Sequence, residues 1–117
     1  MAYMFRTFYK RYDTGKVKTM RTPNTYKTIK DARKGANVSV RGTGIYELGK
    51  EKLKGEVWAE IFKVPIEPMF SEPKPLLYVF YDPSTGKAFV GGKTKRGMMR
   101  NRYILSDGSL SENGPYD

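Results

Sequence analysis

Two carboxylates have a spacing close to that of a catalytic pair. Glu56 and Glu60 alternate with Trp58 in a strand-like segment, which would place both carboxylates on one face, roughly 7 Å apart. Glycoside hydrolases use separations of about 5–9.5 Å. Exposed glutamates are nevertheless common on amphipathic strands, and a chain of 117 residues offers little room for a sugar cleft. We therefore interpret the pair as surface side chains.

The composition removes most other routes to catalysis. The chain contains no His, the commonest general base and transition-metal ligand, and no Cys for disulfides or thiolate metal sites. Its remaining aspartates are scattered through turns and a helix, whereas a two-metal site needs several carboxylates at one point. The sequence therefore predicts no enzyme, no cofactor and no metal site.

A glycine-rich segment, residues 86–94, is similar to a phosphate-binding loop in composition only. In a Walker loop four residues separate the first Gly from the Gly-Lys-Thr end, and here Lys87 occupies the position of that first Gly. Phe89 and Val90 favour a strand, and no helical pattern follows Lys93. Nucleotide hydrolysis is not expected.

Charge distinguishes the chain more than any motif does. The formal net charge is +10 and the pI is about 9.8. Residues 1–35 carry +8 and residues 76–104 carry +5, whereas residues 36–75 are neutral and residues 105–117 carry −3. Two basic blocks of this size favour an anionic partner, and Lys and Arg bind nucleic acid by displacing counterions from its phosphates.

We predict that cations of both blocks contact phosphates and that neighbouring tyrosines stack on bases. The phosphate contacts predicted in the first block are Arg6, Lys10, Arg11, Lys16, Lys18, Arg21, Lys30, Arg33 and Lys34. Those predicted in the second block are Lys87, Lys93, Lys95, Arg96, Arg100 and Arg102. The stacking candidates are Tyr9, Tyr78 and Tyr103.

Alternation of apolar and polar residues, interrupted by turn signals, predicts an α+β fold. We expect an antiparallel sheet of about five to seven strands built from hairpins, with one short helix. Asp and Gly mark hairpin turns at 13–16 and 82–87, and four prolines make residues 65–75 an extended segment. The predicted strands are 3–12, 17–22, 38–48, 57–64, 76–81, 88–91 and 102–106.

The predicted helix covers residues 27–35. Thr25 or Thr28 can cap its beginning, and Gly35 or Asn37 can close its end. The helix would belong to a single domain, residues 1–106, followed by a polar, flexible tail, residues 107–117. No apolar run approaches the roughly 20 residues that span a bilayer, and no signal peptide is evident, so we expect a cytoplasmic protein without a membrane partner.

Residues 3–36 resemble the arm-binding N-terminal domains of some phage and transposon integrases. The resemblance lies in a hairpin with the turn YDTGK (12–16), a Thr-rich connection and the segment TYKTIKDARKGA (25–36). It implies a small sheet that packs on a helix and enters a DNA groove. The remaining residues depart from that pattern, and no integrase catalytic motif is present.

The sequence thus predicts a small, non-enzymatic protein that binds DNA or RNA with weak sequence preference through a basic hairpin, a helix and a loop. The alternative is a structural or interaction protein, such as a virion component or an accessory factor of a phage or mobile element, that docks on an acidic partner. The extended proline-rich segment and the polar tail favour this alternative. The fold decides whether the two basic blocks share one face.

Overall fold

The computed structural model describes residues 2–21, 24–49, 55–64, 75–91 and 102–111. One α-helix, α1 (Ile29–Gly44), continues directly into a π-helical segment, Ile45–Gly49. The six strands are β1 (Ala2–Arg11), β2 (Val17–Arg21), β3 (Gly55–Val64), β4 (Leu77–Asp82), β5 (Lys87–Gly91) and β6 (Arg102–Tyr103). The predicted α+β class is confirmed, and residues 65–74 of the proline-rich segment lie outside the described residues.

All neighbouring strands are antiparallel, in the order β2-β1-β3-β4-β5-β6. Both predicted hairpins form, β1–β2 and β4–β5. Gly15 and Gly86 in their turns have φ angles of 69° and 73°, a left-handed conformation that glycine adopts without steric cost. β3 pairs with β1 and not with β2, so the connection that carries α1 crosses the sheet.

Alternation along the strands gives the sheet two different faces. One face packs against α1 and forms the core, together with the inner side of that helix. No described helix or strand packs against the other side, which we call the open face. The fully buried side chains of β1, β3 and β4 on the helix side are Phe5, Thr7, Tyr9, Val57, Ala59, Ile61 and Val79.

The helix approaches the sheet closely because its inner side is built from small residues. Ala32, Ala36, Val40 and Gly44 recur every four residues, and all are buried. A Cβ atom at Gly44 would lie 2.5 Å from ring atoms of Tyr81, so only glycine leaves room for that ring. The sheet therefore supplies most of the bulk of the core.

The N-terminus of α1 has the predicted cap. The Oγ1 atom of Thr28 accepts a hydrogen bond from the backbone N–H of Asp31 at 3.1 Å. Thr28 itself has an extended backbone, which is typical of an N-cap residue. Asp31 in the first turn also complements the positive end of the helix dipole.

Residues 38–48, predicted as a strand, are helical instead. Val38 and Ile45 carry β-branched side chains, which favour strands. Burial of the small-residue stripe against the sheet outweighs that preference and carries the helix past Gly35 and Asn37. Val38 and Ile45 consequently lie on the outer side of the helix, 69% and 56% exposed.

The chain after β6 folds back onto α1. Gly108 is buried with a φ of 90°, and its carbonyl oxygen accepts a hydrogen bond from Nε of Arg33 at 3.0 Å. A carboxylate oxygen of Asp107 lies 3.8 Å from Nζ of Lys30. Residues 107–111, assigned above to a polar tail, thus contact the helix, whereas residues 112–117 lie outside the described part of the chain.

Candidate nucleic-acid interface

Five aromatic side chains form a line across the open face. The strand register pairs Phe8 with Trp58 and Trp58 with Phe80. It further pairs Phe80 with Phe89 and Phe89 with Tyr103. Directly opposed residues project from the same face of a sheet. We call these five residues, which are all half-buried, the aromatic row.

Two pairs of neighbouring rings in the row are in contact. The rings of Phe8 and Trp58 stack across their strands, with centroids 5.2 Å apart and an angle of 12° between the ring planes. The rings of Phe80 and Phe89 are tilted by 33°, with centroids 5.7 Å apart. Trp58 therefore covers one face of Phe8, and the other face of Phe8 points towards β2.

The β1–β2 hairpin beside this end of the row is strongly basic. Residues 6–21 contain six Lys or Arg and a single acid, Asp13. Arg11 holds that acid with two hydrogen bonds, of 3.0 Å from Nε and 2.6 Å from Nη2. These bonds lower the pKa of the Asp13 carboxyl below its usual value. Among the residues that the structure describes, no carboxylate forms an ion pair with Arg6, Lys10, Lys16 or Lys18.

The hairpin cations are divided between its two sides. Arg6 and Lys10 alternate with Phe8 and share the open face with it, and Arg21 is the register partner of Arg6. Lys18 pairs with the core residue Tyr9 and therefore belongs to the helix side. Arg6 and Lys10 thus flank Phe8 on the open face, and the guanidinium of Arg6 lies 5.2 Å from the centroid of the Phe62 ring.

Two carboxylates of β3 lie opposite the cations Arg6 and Lys10 of β1. Glu60 and Glu56 on β3 are the register partners of Arg6 and Lys10, and both lie on the open face as predicted. Glu56 accepts a hydrogen bond from the hydroxyl of Tyr12 at 3.2 Å. Burial and the neighbouring Glu56 carboxylate raise the pKa of Tyr12. Because these carboxylates repel phosphate, the hairpin, and not the centre of the sheet, offers the positive part of the open face.

The far end of the row is fixed by a buried aspartate. The hydroxyl of Tyr103 donates to Oδ2 of Asp82 at 3.0 Å, and Ser84 donates its N–H and Oγ–H to Oδ1 at 3.0 and 2.6 Å. Burial acts to raise the pKa of Asp82, but these hydrogen bonds outweigh it and lower the pKa. Nζ of Lys87 lies 5.2 Å from the centroid of the Tyr103 ring. These contacts hold the Tyr103 ring in place at the β6 end of the sheet.

The three tyrosines predicted to stack on bases have different positions. Tyr9 is 2% exposed and lies between the sheet and α1, so its ring cannot reach a base and that prediction is corrected. Its odd position on β1 places it on the core face. Tyr78 and Tyr103 lie on the open face, where Tyr78 stacks against Phe80 with centroids 5.9 Å apart.

The predicted cations do not form one surface. Lys30, Arg33 and Lys34 belong to α1, on the opposite side of the sheet from Arg6 and Lys10. Lys30 lies near a carboxylate, and Arg33 hydrogen-bonds to a backbone carbonyl, which gives both structural roles. Arg102 is exposed and pairs with Val90, also on the helix side. The positions of Lys93, Lys95, Arg96 and Arg100 lie outside the described residues.

Phe8, Trp58 and Phe89 are members of the row that the sequence did not single out. A signal existed, because β1 and β3 carry large side chains at both odd and even positions. A sheet with a solvated outer face would show polar residues at one of the two sets. Only the pairing of β1 with β3, about fifty residues apart in the chain, brings Phe8 to Trp58.

Neither a metal-binding cluster nor a membrane-spanning helix is found among the described residues. There, no group of three or more His, Cys, Asp or Glu side chains is arranged to hold a metal ion. No helix of that part is long and apolar enough to cross a membrane. Comparison of the chain with protein-family models, with curated proteins and with solved structures gives no match. Function must therefore be inferred from the interface itself.

Proposed function

We propose that the protein binds nucleic acid with weak sequence preference, through the β1–β2 hairpin and the adjoining part of the open face. The observation that carries the proposal is the hairpin, whose single acid is already bound by Arg11. Its exposed or half-buried lysines, Lys10 and Lys16, are available to neutralise phosphates, and release of counterions from the nucleic acid drives such binding. The neighbouring rings add contacts to bases or sugars.

Weak sequence preference follows from the residue types present. Lys and Arg on an exposed ribbon contact phosphates, which fix position but carry no sequence information. Asn and Gln read adenine edges in specific complexes, and the described positions of the open face contain neither. We expect affinity to depend much more on salt than on sequence.

Removing two hairpin lysines should weaken binding and its salt dependence together. In the double variant Lys10→Ala, Lys16→Ala, the magnitude of the slope of log K against log salt should fall by roughly 1 to 2, because each phosphate contact contributes about 0.7 to 0.9. Affinity at low salt should fall at least about tenfold. Fluorescence anisotropy with labelled oligonucleotides across a salt series measures both quantities.

The matched control removes the same charge from the helix side. Lys34 on α1 and Lys63 on β3 are exposed, and the double alanine variant at these positions has the same net charge as the hairpin variant. It should keep the wild-type slope within error, and both variants should keep the wild-type melting temperature. Equal weakening by both variants would show that binding follows net charge and not the hairpin.

A second candidate function is that of a structural or interaction protein, and the outer side of α1 favours it. Val38 and Ile45 expose apolar surface there beside the cations of Lys34 and Arg41. An assembly formed through this side should give a molar mass above that of the monomer by light scattering, without nucleic acid. The double variant Val38→Ser, Ile45→Ser should then restore the monomer. A wild-type monomer at low salt would contradict this candidate.

A further inference from the structure

We propose that the bound nucleic acid is single-stranded and that one of its bases stacks on the outer face of Phe8, above Thr19 of β2. This inference rests on the nucleic-acid binding proposed above. It specifies a single-stranded ligand and a stacking site for one base, the outer face of Phe8 above Thr19, which we call the seat. It follows from the way in which the aromatic row ends.

The row stops one strand short of the sheet edge. Strands β1, β3, β4, β5 and β6 each contribute a ring, and Trp58 covers the inner face of Phe8 with a centroid separation of 5.2 Å. On β2 the register partner of Phe8 is Thr19, a short and exposed side chain. The outer face of Phe8 is therefore left with space for one more ring. A nucleobase, which has a π-face whatever its identity, would continue the stack there.

One cation lies beside this seat along the strand direction. Lys10 is two residues from Phe8, about 7 Å along β1, and no carboxylate among the described residues forms an ion pair with it. Arg6, two residues from Phe8 in the other direction, instead has its guanidinium 5.2 Å from the centroid of the Phe62 ring and its Nε buried. A phosphate that flanks the stacked base would meet Lys10, so the nucleic acid would run along the hairpin. This path keeps it one strand away from Glu56 and Glu60.

The seat selects single strands because a duplex does not offer a free base face. In a duplex each base is paired and is covered above and below by its neighbours, and extruding one costs free energy. In a single strand the base can turn onto the ring at little cost. Stacking on one aromatic side chain corresponds to roughly a tenfold gain in affinity.

Two substitutions test the seat, one by removing the ring of Phe8 and the other by occupying the space above Thr19. Phe8→Leu keeps an apolar side chain but removes the ring, and Thr19→Phe fills the seat with the protein's own ring. Both should weaken binding of a short oligothymidylate about tenfold while leaving duplex binding unchanged. Thr19→Phe should not lower the melting temperature, because cross-strand aromatic pairs stabilise a sheet. Loss of binding by that variant therefore cannot be attributed to unfolding.

The only Trp of the chain provides a local signal. Trp58 stacks on Phe8, so its fluorescence should change when oligothymidylate binds and should change less in Thr19→Phe. Tyr46→Leu removes an exposed ring from the π-helical segment after α1, away from the open face; it is the matched control and should bind as the wild type does. If Thr19→Phe binds single strands normally, or if the wild type prefers duplex, the seat is wrong although nucleic-acid binding stands. If no nucleic acid binds at low salt, the proposed function itself is wrong.

Discussion

Replacing Gly108 by Ala should destabilise the protein by about 3 kcal/mol. Two costs combine at this position. Gly108 has a φ of 90°, which side chains with a Cβ rarely adopt, and a Cβ atom there would overlap the backbone carbonyl oxygen of Lys30. A backbone atom within α1 cannot move aside as the end of a flexible side chain can. The loop must therefore leave the helix, with loss of the hydrogen bond from Arg33.

Gly86→Ala separates these two costs. Gly86 has a similar φ of 73°, but no atom lies within 4 Å of the position that its Cβ would take. Its substitution should cost only the backbone strain, about 1 kcal/mol. Chemical denaturation of both variants measures the difference. Equal destabilisation would mean that close packing of the 107–111 segment on the helix contributes nothing to stability.

Asp82→Ala should cost about 2–3 kcal/mol at neutral pH, because Asp82 is only 8% exposed and its carboxylate accepts hydrogen bonds from Ser84 and Tyr103. The effect should depend on pH. The pKa of Asp82 is lower in the folded protein than in the unfolded chain, so its contribution is complete above the unfolded value of roughly 4. It is lost as the pH falls through the lowered folded pKa.

Urea denaturation as a function of pH measures this behaviour. The difference in stability between wild type and Asp82→Ala should be constant near neutrality and should shrink in acid. Asp107→Ala is the matched control, because Asp107 accepts the same pair of hydrogen bonds from Ser109 but is exposed to solvent. Its effect should be clearly smaller. A deficit for Asp82→Ala that stays constant into acid would show that its charge has no role.

The sequence predicts those parts of the fold that depend on nearby residues. The hairpin turns follow from Asp and Gly at the required positions, and the cap of α1 follows from Thr28. The two faces of β3 follow from alternation alone. Each of these features depends on interactions within a few residues, so local chemistry determines it.

The rest depends on contacts between distant segments. The second half of α1 is helical because Val40 and Gly44 face the sheet, and nothing near them in the chain indicates that packing. For the site, residue types identified the hairpin cations, but the pairing of β1 with β3 decided which of them lie beside a ring. The same pairing buried Tyr9 and brought Trp58 to Phe8.

The close packing of Gly44 on Tyr81 limits how this core can diverge. Volume at that contact is shared unequally, since the strand contributes an entire ring and the helix contributes only a hydrogen atom. A larger residue on the helix is compatible with the fold only when the ring opposite becomes smaller. Sizes at the two positions should therefore change in a reciprocal manner, and their free energies of substitution should be strongly non-additive.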